Sequence, residues 1–239
     1  MTYAPSAVNA SFPKTISNIF MHFKAILFDL DGTLLNTLED LSVAANHVLK
    51  KNGFPIHTME EYRFFVGDGI AALIKRALPE DQRNEDVIRL CIQAYREEYS
   101  RNWKVKTRPY DGITEMLDAL TYRRLKMAVL SNKPDEFTKQ CVNEFLPHWT
   151  FDVVLGQRSS LPPKPDPAGA MEVSLSLNVP PPHFIYLGDT ATDMKTATAA
   201  GMFPAGATWG FRSEQELREN GARVLLKTPQ EVVGLLDLE

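Results

Sequence analysis

A buried strand that opens directly into two acids and a glycine constrains this chain more than any other stretch. It reads Ala25-Ile26-Leu27-Phe28, then Asp29-Leu30-Asp31-Gly32-Thr33-Leu34. Four apolar residues with no polar alternation predict a strand covered on both faces, as in a parallel sheet layered between helices. Two carboxylates are thereby carried to the carboxyl end of a core strand, the edge at which open parallel sheets bind ligands. Acids beside a hydrophobic strand are costly unless compensated, and a divalent cation is the usual compensator. Turn formation ahead of a helix is the alternative for Asp29 and Asp31. That alternative needs only one such residue and calls for no matching groups elsewhere in the chain.

The residues that follow supply the layers. Leu38, Leu41, Ala45, Val48 and Leu49 recur at helical spacing and stop at Gly53. Thr58 with Glu61 makes a capping box for a second helix, Ile70 to Leu78 predicts a third, and Glu85 to Trp103 a fourth. No strand pattern interrupts residues 38–106, so residues 38–107 are expected to form a small all-helical insert over the strand ends. After the turn-rich return Arg108-Pro109-Tyr110-Asp111-Gly112, helix and strand alternate. Helices are expected around Ile113–Leu120, Phe137–Phe145, Pro167–Leu177 and Asp193–Ala200, the last stopped by Gly201. Strands are expected at Met127–Leu130, Val153–Leu155 and Phe184–Leu187, with Ala205–Thr208 and Val224–Leu226 as further candidates and a Ser213–Glu216 capping box between them. The alternation predicts an α/β fold, a doubly wound parallel sheet covered by helices on both faces and built from residues 21–37 and 108–239.

Composition narrows the class of protein. A net charge of −4 argues against a nucleic-acid partner, which would call for a basic excess. No apolar run approaches the width of a bilayer, so no membrane span is expected. Cys91 and Cys141 suit a reducing cytosol, hence a cytoplasmic protein, better than a disulfide framework. His22, His47, His57, His148 and His183 show no zinc-ligand spacing. Residues 1–20 are rich in Ser, Thr and Asn, carry Lys14 as their single charge and lack a secretion-signal pattern. They are expected to be a poorly ordered extension, with Met21 as a candidate initiator.

Three later stretches match the first in kind: Ser131-Asn132-Lys133-Pro134, Lys164-Pro165-Asp166-Pro167 and Gly188-Asp189-Thr190-Ala191-Thr192-Asp193. With Asp29-Leu30-Asp31-Gly32-Thr33 they resemble, in order, the four signatures of the haloacid dehalogenase superfamily of phosphohydrolases. The resemblance runs from about Met21 to the end of the chain. Val66-Gly67-Asp68-Gly69, Arg76-Ala77-Leu78, Thr107 to Gly112 and Ser131 to Pro134 are most similar to the bacterial phosphoglycolate phosphatases. In that family the helical insert is a cap.

The resemblance implies a Mg²⁺-dependent phosphatase acting on a small phosphorylated metabolite, with 2-phosphoglycolate favoured. Asp29 would be the nucleophile that forms an aspartyl-phosphate. Asp31 would be the general acid and then the base, reaching the phosphoryl group because Gly32 lets the backbone bend. Asp29, the Asp31 main-chain carbonyl and Asp189 would hold the metal, a hard cation that takes oxygen ligands. Asp193 would support them or pair with Lys164; helix N-capping is the alternative for both later acids. Ser131 and Asn132 would offer a hydroxyl and main-chain N–H groups to phosphate, placed by the strand end and the start of a helix. Lys164, aimed by prolines that hold the backbone extended, would bind phosphate or Asp29.

For a two-carbon substrate the carboxylate calls for a cation from the cap. Arg63, Lys75 and Arg76 are the candidates, each equally explained as an exposed helix charge. Asn36 departs from the family pattern, in which many relatives carry an acid there, and bears on cap contacts. Inorganic pyrophosphatase and β-phosphoglucomutase are rival readings on the same fold. A metal-free dehalogenase is disfavoured by Asp31, and a non-catalytic phosphometabolite-binding module is a rival from another class.

Overall fold

The computed structural model describes residues 22–237, so the expected extension at residues 1–20 lies outside the described residues. The first half of the chain runs β1 (Ala25–Phe28), β2 (Leu35–Asn36), α1 (Leu38–Lys51), α2 (Met59–Phe65), α3 (Ile70–Ala77), α4 (Glu85–Asn102) and β3 (Arg108–Pro109). The second half runs α5 (Ile113–Tyr122), β4 (Lys126–Pro134), α6 (Asp135–Phe145), β5 (Val153–Gln157), α7 (Ala168–Leu177) and β6 (Phe184–Gly188). It ends with α8 (Ala191–Ala200), β7 (Phe203–Ala207), α9 (Glu214–Glu219), β8 (Val224–Leu226) and α10 (Gln230–Gly234).

Six strands form one sheet in the order β5-β4-β1-β6-β7-β8, and every pairing in it is parallel. The doubly wound α/β fold expected from the βα alternation is thus the observed one. β1 is central, and its residues alternate between two apolar layers. Ile26 and Phe28 pack with Ile113, Met116 and Cys141 of α5 and α6, while Ala25 and Leu27 pack with Val173 and Ala197 of α7 and α8. All four β1 residues are fully buried, which is why the strand tolerates no polar alternation. The chain moves outward from β1 to β4 and β5, then returns to β6 on β1's other side. That reversal puts the carboxyl ends of β1, β4 and β6 at the topological switch point, where a crevice opens.

Helices α1 to α4 bury a separate apolar cluster around Leu49, Tyr62, Ile74 and Tyr95, which Phe137 joins from the first turn of α6 and Phe211 from the loop after β7. The Thr58–Glu61 capping box forms in full. At α9 only half of the expected box forms, because Ser213 accepts the Glu216 N–H while the Glu216 carboxylate lies 3.4 Å from Arg212.

Two features escape the periodicity argument. β2 and β3 form an antiparallel ribbon, Leu35 against Pro109 and Asn36 against Arg108, where the chain leaves for the helical segment and returns. Two-residue strands are too short to show a period. Asp40 locks the same crossing from α1. Buried, it accepts the Lys106 N–H (3.0 Å), the Thr107 N–H (2.8 Å) and the Thr107 hydroxyl (2.7 Å). Asp40→Ala leaves those donors unpaired and is expected to cost about 3 kcal/mol. Thermal unfolding followed by circular dichroism would then shift down by about 6–12 °C; an unchanged midpoint would refute the lock.

Candidate active site

Three loops bring four side chains together at the switch point. Asp29 follows β1, with its N–H donating to the Leu187 carbonyl of β6 at 2.9 Å. Lys164 enters from the loop before α7 and places Nζ 2.8 Å from Asp29 Oδ1 and 2.7 Å from Asp193 Oδ1. Asp189 follows β6, held by the Thr33 hydroxyl at 2.9 Å and the Phe211 N–H at 2.8 Å. Asp29, Lys164, Asp189 and Asp193 are all buried. Residues separated by 135 and 156 positions in sequence therefore meet in one pocket.

Local backbone explains the delivery. The Leu30 carbonyl accepts the N–H groups of Leu34 and Leu35, each at 3.0 Å, which curls the chain immediately after the strand. Gly32 sits at φ +93°, and a Cβ there would lie 2.3 Å from Asp189 Oδ2. The glycine is required both for the left-handed turn and for the approach of the second acid. At the other end, Thr190 caps α8, and Asp193 reaches back to the Thr190 N–H (3.1 Å) and hydroxyl (2.7 Å) through one oxygen while the other meets Lys164. Capping and ion pairing are thus both true of Asp193. Asp189 takes no part in the cap.

Electrostatics show a shortage of positive charge. Three carboxylate oxygens, from Asp29, Asp189 and Asp193, lie within 4.8 Å of one another in buried surroundings. Burial, then the neighbouring Asp193, pushes Asp29 up to about 7 although Lys164 pulls it down. Burial and the other two acids hold Asp189 well above the usual carboxylate range. Lys164 stays charged, because Asp193 and Asp29 outweigh the burial that opposes it. One ammonium among three desolvated carboxylates leaves the cluster short of a cation. An all-oxygen donor set suits a hard divalent ion, so the cluster fits a metal.

The other expected site residues divide. Ser131 accepts the Lys133 N–H at 3.2 Å, and its own hydroxyl proton has no acceptor among the described residues. Asn132 spends its side-chain amide on the loops. It accepts the Lys164 N–H at 2.8 Å and donates to the Lys164 and Gly67 carbonyls, each at 3.1 Å. Neither residue stands at a helix start as expected, because β4 runs on through Pro134 before α6 begins. Lys164 likewise sits in a turn and not in an extended run. Its main chain is clamped by Asn132.

Arg63, Lys75 and Arg76 do not line the cavity. Arg63 donates to the Gly210 and Phe211 carbonyls at 2.8 and 3.3 Å, bracing the loop whose N–H holds Asp189. Arg76 pairs with Asp68, which also accepts the Thr192 hydroxyl at 2.7 Å. Lys75 is exposed. These arginines tie α2 and α3 to the sheet edge. The cation that does face the cavity is Lys133, whose Nζ lies 3.1 and 3.2 Å from the Asp31 oxygens and 4.7 Å from the Tyr99 ring centre. Its one sequence signal was its place in the Ser131 to Pro134 run.

The cavity between the strand ends and the helical layer holds about 40 Å³. Asp29, Asp31, Ser131 and Lys133 line its floor, and Tyr95 and Tyr99 of α4 its roof. A water occupies roughly 10–15 Å³ on this measure, so the enclosed part of the space has room for about three waters and the rest is open to solvent. Among the described residues no helix is long and apolar enough to cross a membrane, and Cys91 and Cys141 are both buried and unpaired.

Known proteins agree with this geometry. Residues 26–207 match the family model described as haloacid dehalogenase-like hydrolase. A phosphoglycolate phosphatase of Nitrosospira multiformis is 32% identical, over 90% of this chain and 98% of its own length. One of Aquifex aeolicus is 30% identical, over 90% of this chain and 97% of its own length. A crystal structure from Lactobacillus delbrueckii subsp. bulgaricus, of a protein provisionally named a phosphoglycolate phosphatase, superposes with a TM-score of 0.85 at 29% identity, covering 90% of this chain and 99% of that one. A match over three quarters of the chain, with both acids and the lysine converging at the switch point, makes this protein a member of the haloacid dehalogenase-like hydrolases.

Proposed function

We propose that the chain is a Mg²⁺-dependent phosphatase of a small phosphorylated metabolite, with 2-phosphoglycolate the favoured substrate. The observation that carries the reading is the bridge Asp29–Lys164–Asp193, at 2.8 and 2.7 Å, beside a third buried acid. The named activity of the relatives supports the choice of substrate, and the small cavity agrees with it.

On this reading the Asp29 carboxylate attacks phosphorus in line, an Asp29–phosphorus bond forms, and the bond to the leaving oxygen breaks. Asp31 gives its proton to that oxygen and then takes one from a water that attacks the aspartyl-phosphate, which returns Asp29 and releases phosphate. Lys164 and the Ser131 hydroxyl hold the phosphoryl oxygens and offset their charge. Asp29, Asp189 and the Asp31 main-chain carbonyl are the residues that would hold Mg²⁺, which supplies charge against the phosphate dianion when bound. Residues 38–107 act as a cap, keeping bulk water from the intermediate while Arg63, Asp68 and Arg212 latch them to the core.

Phosphate release from a panel of 2-phosphoglycolate, ethyl phosphate, sugar phosphates and pyrophosphate tests this. Turnover is expected to be fastest on 2-phosphoglycolate, to stop on chelation with EDTA and to return with added Mg²⁺. Faster release from pyrophosphate, or conversion of glucose 1-phosphate to the 6-phosphate, would replace the substrate. No release from any ester in Mg²⁺ would overturn the reading.

A further inference from the structure

Besides the Ser131 and Tyr99 hydroxyls, the roof and floor of the cavity leave donors of Tyr95 and Lys133 unspent. Tyr95, only 1% exposed, lines the cavity, and its hydroxyl has no partner among the described residues. Lys133, 6% exposed, uses the two Asp31 oxygens as its acceptors among the described residues, and an ammonium carries three N–H donors. Burial holds the Tyr95 phenol well above its usual range, so it stays a donor. A buried donor with no acceptor is costly, and two beside one small cavity call for an acceptor that enters with the ligand.

We propose that Lys133 and Tyr95 form the leaving-group subsite and select a short leaving group that ends in a carboxylate. The inference rests on the reading of the chain as a phosphatase with Asp31 at the leaving oxygen. A group that bonds Asp31 sits beside that oxygen, and Lys133 Nζ lies 3.1 Å from Asp31 on the wall of the same cavity. Lys133 therefore reaches the atoms one or two bonds beyond the leaving oxygen. A carboxylate is acceptor-only and carries negative charge, so it satisfies a cation and a hydroxyl together. An alkyl or neutral end leaves both donors unpaired. The Tyr99 ring under the ammonium, stacked on Tyr95 with centroids 5.7 Å apart, fixes where that charge stands. The subsite also supplies what Arg63, Lys75 and Arg76 do not, a cation at the cavity wall.

The test compares 2-phosphoglycolate with ethyl phosphate, which lacks the carboxylate, in wild type, Tyr95→Phe and Lys133→Met. The ratio of kcat/KM for the two esters is expected to fall roughly 10-fold in Tyr95→Phe and up to about 100-fold in Lys133→Met. Calorimetric binding of 3-phosphonopropionate against propylphosphonate, both non-hydrolysable, gives the same comparison without turnover, and the affinity ratio is expected to fall in parallel. Tyr95→Phe removes one atom, so it keeps the test open if Lys133→Met does not fold. Equal losses on both members of each pair would overturn the subsite, reducing Lys133 and Tyr95 to support for Asp31. Wild type that hydrolyses ethyl phosphate as well as 2-phosphoglycolate would overturn it too, with the phosphatase reading intact. Wild type inactive on both esters in Mg²⁺ would sink that reading and the subsite with it.

Discussion

Asp29→Asn is expected to lower kcat on any phosphate ester by on the order of 10⁵-fold, the scale seen when an enzyme loses its nucleophile, while raising the melting temperature of the metal-free protein at pH 8. The two effects have one origin. On the proposed reading the carboxylate is the attacking group, and it is also a charge held in a dry pocket between Lys164 and two other acids. Its folded-state value, raised from 3.8 to about 7, means that the native state binds more protons than the unfolded state between those limits. Stability in EDTA therefore falls as pH rises from about 4 through 7, and the penalty is complete at pH 8. Asparagine has the same shape and no charge, so the variant escapes that penalty. The gain is expected to be several degrees at pH 8 and to vanish near pH 4, where wild-type Asp29 is itself protonated. Melting curves at the two pH values, with phosphate release on the same samples, check both parts. Residual turnover within about 100-fold of wild type would remove Asp29 from the nucleophile's role, whatever the melting curves show.

The parts of this site that can be read from the chain are those that strand ends announce. Asp29 and Asp189 each follow a short apolar run that has no other way to end than at a sheet edge. Lys164 stands alone among prolines, a cation that was a natural partner for buried acids. Orientation about a helix axis is a different matter. Arg63 and Arg76 carry the right charge in the right segment, yet α2 and α3 turn them toward the Gly210 carbonyl and Asp68. Lys133 was passed over for the opposite reason. In sequence it is one lysine between Asn132 and Pro134; it becomes a buried cation only when Tyr99, 34 positions earlier, lays its ring beneath it. Helix faces and cross-layer contacts depend on docking, which a linear pattern reports poorly, whereas termination of a buried strand is local.

Lys164→Met is expected to be the most damaging single change outside the nucleophile, and its signature separates charge from shape. Methionine fills nearly the same volume, so little cavity is created. What disappears is the ammonium shared by Asp29 and Asp193, together with its bond to the Leu130 carbonyl at 3.1 Å. Breaking a buried pair by removing one partner costs about 3–5 kcal/mol, since the other charge stays behind in low dielectric. For a domain of this size that lowers the melting temperature by about 6–20 °C in EDTA at pH 8. Nearer pH 5 the loss is expected to shrink, because the stranded Asp29 takes up a proton, and saturating Mg²⁺ at pH 8 is expected to restore part of it by replacing the missing charge. Activity is not expected to return with stability, since Mg²⁺ on the carboxylates does not reproduce a donor aimed at the phosphoryl oxygens. Should the variant melt within about 2 °C of wild type at pH 8 without metal, Lys164 is not offsetting buried charge in the cluster there. The electrostatic account of the cluster would then have to be abandoned.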